Sequence, residues 1–87
     1  FHSEEINLEL GITNYELRSK EIIEKLKKNY KDGKIDEMDG ITVEYKDWWF
    51  NLRSSNTEPV MRLVVEAETQ YLMEQKVKEI MEFIITR

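Results

Sequence analysis

The sequence predicts an α+β domain, a two-layer sandwich in which a mainly antiparallel sheet carries two helices on one face. Three observations carry that expectation. Apolar residues recur with period two in the short segments and at three- and four-residue spacing in two longer ones. The segments follow in the order β-α-β-β-β-β-α. Connections in the middle of the chain are hairpin-length, so strands adjacent in sequence should pair antiparallel, with both helices covering one apolar face.

In residues 5–10, Ile6, Leu8 and Leu10 alternate with Asn7 and Glu9, the pattern of a half-buried strand that Gly11 ends. Thr13-x-x-Glu16 has the form of a capping box, which opens a helix expected to run to about Tyr30. Its buried stripe is Ile22, Ile23, Leu26 and Tyr30, while Lys20, Lys25, Lys27 and Lys28 lie mostly off it. A turn at Asp32-Gly33 leads to a short strand over residues 35–38, and Asp39-Gly40 is a strong hairpin signal. Ile41, Val43 and Tyr45 then alternate with Thr42, Glu44 and Lys46. In residues 48–53, Trp48, Phe50 and Leu52 share one face, and Trp49, Asn51 and Arg53 the other. Met61, Leu63, Val65 and Ala67 form the inner face of the last strand, opposite Arg62 and Glu66. Thr69 is suited to cap a closing helix whose apolar side is Met73, Val77, Ile80, Met81 and Ile84.

Length allows one domain over residues 1–87, burying roughly 60–70% of the unfolded surface. The first residue is Phe, which suggests a piece of a longer protein. A net charge of −5 argues against a general nucleic-acid or membrane partner, since both need a positive field. With no cysteine, thiolate chemistry and disulfides are excluded, and the single histidine, His2, stands beside the chain start. No apolar run approaches the roughly 18–20 residues of a membrane span, and the N-terminus lacks signal-peptide regions, so a cytoplasmic setting is expected.

The richest chemistry lies in Arg53-Ser54-Ser55-Asn56-Thr57-Glu58-Pro59, between two strand-like segments. One guanidinium followed by hydroxyls and a carboxamide supplies more donors than a hairpin turn needs. Arginine's planar fork suits phosphate, and alternation points Arg53 away from the core, free to meet a ligand. Ser55-x-x-Glu58 matches a capping box, but Pro59 and the β-branched residues after it oppose a helix. Trp49 is the aromatic left for the open face, and Arg62 and Glu66 read as a solvated ion pair worth little. There is no activated nucleophile and no carboxylate cluster with metal-ligand spacing, so catalysis by this chain alone is not expected.

This loop resembles the R-x-S-N-T-E-P phosphate loop of the α-D-phosphohexomutases, in their C-terminal, fourth domain. Glu5-Ile6-Asn7, Asp39-Gly40-Ile41, Trp48-Trp49-Phe50 and residues 62–67 extend the similarity over essentially the whole chain, closest to the phosphomannomutase/phosphoglucomutase branch. The resemblance implies the TATA-binding-protein-like domain of a four-domain isomerase that interconverts hexose 1- and 6-phosphates. It implies Mg2+ and a hexose 1,6-bisphosphate intermediate for the parent enzyme, and a phosphoserine in another domain. This chain has no serine–histidine–asparagine phosphorylation motif and no Asp-x-Asp-x-Asp loop. What carries over is a phosphate grip by Arg53, Ser55, Asn56 and Thr57, with a phosphorylated hexose and the parent's other domains as partners. Asn56, where glucosamine mutases tend to carry Gly, leans toward mannose or glucose. The rival reading is a non-catalytic module using the open face around Trp49, Asn51 and Arg53 for a protein or a single nucleic-acid strand.

Overall fold

In the computed structural model, which describes residues 1–3, 5–9, 15–54 and 60–86, the elements run β1 (Ile6–Glu9), α1 (Tyr15–Asn29), β2 (Lys34–Asp36), β3 (Ile41–Glu44), β4 (Trp48–Ser54), β5 (Val60–Ala67) and α2 (Gln70–Thr86). The strands form one sheet in the order β1-β5-β4-β3-β2, and every pairing is antiparallel. This is the expected α+β sandwich. The capping box at Thr13 and Glu16, the strand end at Leu10 and the turn at Gly11 lie outside the described residues or side chains.

Alternation decides the layers. Trp48, Phe50 and Leu52 of β4 and Met61, Leu63, Val65 and Ala67 of β5 point to one side and are buried, together with Ile41 and Val43. Ile22, Leu26 and Tyr30 from the first helical segment and Ile80 and Ile84 from α2 close over them. Met73, Val77 and Met81 pack at the margin of the same cluster, half-buried. The helices also touch each other, with the Lys25 ammonium 5.4 Å from the centre of the Phe83 ring. Thr69 caps α2 as expected, its hydroxyl accepting from the Leu72 N–H at 3.1 Å, which stabilises such a helix by about 1 kcal/mol.

The second strand is shorter than its apolar pattern suggests. Asp36 Oδ1 accepts from the Met38 N–H at 2.9 Å, an Asx turn that bends the chain out of the sheet. Met38 is consequently 93% exposed. The Asp39-Gly40 turn follows the expectation, and Gly40 adopts φ 70°, a left-handed conformation that favours glycine.

One end of the core is aromatic. Tyr45 stacks on Trp48 with ring centres 5.0 Å apart, and Tyr30 meets Phe50 edge-on at 5.2 Å. Both tyrosine hydroxyls donate to carboxylates, Tyr30 to Glu79 at 2.5 Å and Tyr45 to Asp32 at 2.6 Å. Burial raises both phenol pKa values well above the usual range near 10, and the adjacent carboxylates raise them further. A phenol harder to ionise in the fold than in the unfolded chain contributes stability that is intact below about pH 10 and lost as pH rises beyond it. Chemical denaturation between pH 9 and 12 should therefore show stability falling with pH. Tyr30→Phe should flatten that fall, and an unchanged slope would contradict the assignment.

Candidate anion-binding site

The open face of the sheet is ordered in rows by its register. One row joins Glu44, Trp49 and Glu66, the next Thr42, Asn51 and Val64. The row nearest the far ends of β4 and β5 joins Arg53 to Arg62 and then Asn7. Two guanidiniums are thus directly opposed across adjacent strands, at the end from which residues 55–59 connect Ser54 to Val60. The other end of the same face carries the carboxylates of Glu44 and Glu66. The two arginines and these two carboxylates thus stand at opposite ends of the face.

Like charges directly opposite in a sheet destabilise it unless something offsets them. Here Glu5, one residue ahead of β1, does so. Its Oε2 accepts from Arg53 Nη2 at 3.1 Å and its Oε1 lies 3.9 Å from Arg62 Nη1. Asp39 adds a carboxylate oxygen 3.8 Å from Arg53 Nη1. Alternation correctly sends Arg53 away from the core, but the side chain is ion-paired rather than free. At 39% exposure it remains open to solvent, so the pairing is a screened surface interaction worth about 0–1 kcal/mol. Among the contacts of Arg53 with described residues, only the 3.1 Å one has hydrogen-bond length. Among the described residues the buried Arg62 Nε has no hydrogen-bond partner, and the carboxylate near Arg62 is Glu5, where the sequence suggested Glu66.

Arg62 is the site residue that sequence reasoning missed. Its distance from Arg53 in the chain hides a direct pairing that appears only once the β4–β5 register is known. Asn51, by contrast, has a structural task. Its amide nitrogen donates to the Asp39 carbonyl at 3.0 Å and to Thr42 Oγ1 at 3.0 Å, which ties the β2–β3 turn to β4 beside Arg53. Gly40 makes that approach possible, because a Cβ there would stand 2.2 Å from the Leu52 carbonyl oxygen and 2.7 Å from Arg53 Cα. Trp49 is half-buried in a shallow depression of about 490 Å³ whose rim includes Asp39, Glu44 and Arg53. The two carboxylates on that rim oppose a polyanionic strand.

Of the sequence-predicted site residues, Arg53 is placed as described, and Ser55, Asn56 and Thr57 lie outside the described residues. Among the described residues no group of three or more His, Cys, Asp or Glu side chains is arranged to hold a metal ion. The Mg2+ implied by the resemblance therefore has no ligand set among them. His2 is exposed, and none of the described helices is long and apolar enough to cross a membrane.

Comparison with known proteins agrees with the fold. Residues 12–83 match the family described as phosphoglucomutase/phosphomannomutase, C-terminal domain. A phosphomannomutase of Methanocaldococcus jannaschii is 46% identical over 83 residues, which is 95% of this chain and 17% of the relative's length. A phosphomannomutase of Escherichia coli is 44% identical over 82 residues, again 17% of its length. A probable phosphoglucosamine mutase of Thermococcus gammatolerans is 46% identical over 55 residues, 63% of this chain and 11% of the relative. The chain thus spans about one sixth of the length of the relatives that match nearly all of it, and it belongs to the phosphoglucomutase/phosphomannomutase C-terminal domain family.

Proposed function

We propose that this chain is the substrate-phosphate-binding domain of a phosphomannomutase/phosphoglucomutase-type isomerase. Within the longer enzyme it holds the non-reacting phosphate of a hexose phosphate while the other domains interconvert the 1- and 6-phosphates through the bisphosphorylated sugar. The observation that carries this reading is the pairing of Arg53 with Arg62 on the open face, beside the connection that contains Ser55, Asn56 and Thr57. Arginine presents a planar fork to a phosphate oxygen pair, and the hydroxyl and amide donors of the connection supply the remaining bonds. Fixing one phosphate orients the other for in-line transfer, and positioning is most of what phosphoryl transfer asks of a protein. Asn56 inclines the preference to mannose or glucose over glucosamine.

Binding to this chain alone should be weak. Hydrogen bonds to a charged group contribute roughly 1.5–3 kcal/mol each. They must offset an immobilisation cost of at least ~4 kcal/mol together with lost phosphate hydration. Among the described residues, Arg53 and Arg62 are met by Glu5 and Asp39, so no strong net field assists. Affinity should be about millimolar or weaker.

The test is a titration of the 15N-labelled chain with mannose 6-phosphate at constant ionic strength. Saturable shifts should appear at Arg53, Ser54 and the following residues, and Arg53→Ala should weaken binding at least tenfold. Shifts of equal size and midpoint in Arg53→Ala would refute the assignment. The same titration with a single-stranded oligonucleotide examines the rival module, which requires tighter binding and a steep salt dependence.

A further inference from the structure

Glu5 stands apart from the donors that would grip a ligand, yet it is the group that holds the two arginines together. It precedes Ile6, which pairs with Leu63, so Glu5 lies further from the Ser54 end of the sheet than the Arg53–Arg62 row does. Its carboxylate therefore reaches the guanidiniums from behind, from the side of the row opposite Ser54. Each oxygen takes a different arginine, Oε2 with Arg53 at 3.1 Å and Oε1 toward Arg62 at 3.9 Å. Asp39, 78% exposed, contacts Arg53 at 3.8 Å, and among the described residues only Glu5 reaches both arginines.

We infer that Glu5 is a positioning residue of the phosphate seat, and this rests on the phosphate-binding reading above. Two opposed guanidiniums repel, and without a counter-charge each swings toward solvent. A long cationic side chain left free must be immobilised at the moment of binding, and that ordering weakens the complex. A carboxylate bridging the pair carries out part of the ordering beforehand. The alternative role, a carboxylate that merely competes with phosphate, makes the opposite prediction.

The experiment is a double-mutant cycle on this chain with inorganic phosphate as probe, read by 15N-resolved titration. In the unaltered chain, Glu5→Gln should weaken phosphate binding three- to tenfold and should broaden or shift the Arg53 Nε–Hε resonance. In the Arg53→Ala background, Glu5→Gln should have no further effect. A role confined to docking β1 would instead produce a loss independent of Arg53. Unchanged or tighter binding in Glu5→Gln overturns the positioning role, and tighter binding identifies a competitor. Absence of saturable shifts in the unaltered chain overturns the phosphate reading itself. Even then, an Arg53 resonance unmoved by Glu5→Gln would separately overturn the positioning.

Discussion

Phe50→Ala should destabilise this chain by about 3–5 kcal/mol. Phe50 is fully buried at the middle of β4, in contact with Tyr30 and Trp48, where the sheet meets the helices. Truncating a buried phenylalanine typically costs about 3–5 kcal/mol, combining lost transfer energy with a cavity that the neighbours only partly fill. A domain of this size is stabilised by about 0.05–0.15 kcal/mol per residue, or roughly 4–13 kcal/mol in all. The loss therefore takes roughly a quarter of that stability at least, and nearly all of it at the lower bound. Urea denaturation followed by far-ultraviolet circular dichroism provides the check. A midpoint within the error of the unaltered chain would mean that the core is not organised around this ring.

The second large effect concerns Gly40. Gly40→Ala should destabilise the fold by about 2–5 kcal/mol. One part is the left-handed backbone at φ 70°, and the other is the collision of the new methyl group with the Leu52 carbonyl oxygen. The two parts separate experimentally. Asparagine tolerates a left-handed conformation better than alanine but brings the same Cβ. Gly40→Asn should therefore recover only a portion of the loss, and full recovery would show that the close approach is relieved at no cost. Because the strained atoms adjoin Leu52 and Arg53, both substitutions should also reduce phosphate binding among the molecules that remain folded.

How far the sequence revealed this molecule differs from element to element. β4 and β5 are legible because burial alternates along each, Val60 apart, and each pairs on both edges. The closing helix is equally plain, since Thr69 and the stripe from Met73 to Ile84 agree on its start and buried side. β2 is overestimated because a single side-chain contact from Asp36 outweighs the apolar Met38. The site is only half readable. Arg53 stands out because it opens a donor-rich run. The partnerships of Arg53 with Arg62 and Glu5 depend on strand register and on a contact between residues 48 apart, which no local pattern encodes. Asn51 looks like a ligand-facing amide until the turn it holds is seen.

The strand order places β1, the first strand of the sheet in chain order, beside β5, the last. Glu5 meets Arg53 and Arg62 only after the intervening residues have collapsed into place, so these contacts raise the contact order of the domain and belong late in folding. Anything that clasps both arginines is consequently coupled to the closing of the whole sheet. Its free energy of association adds to global stability rather than to the rigidity of one turn.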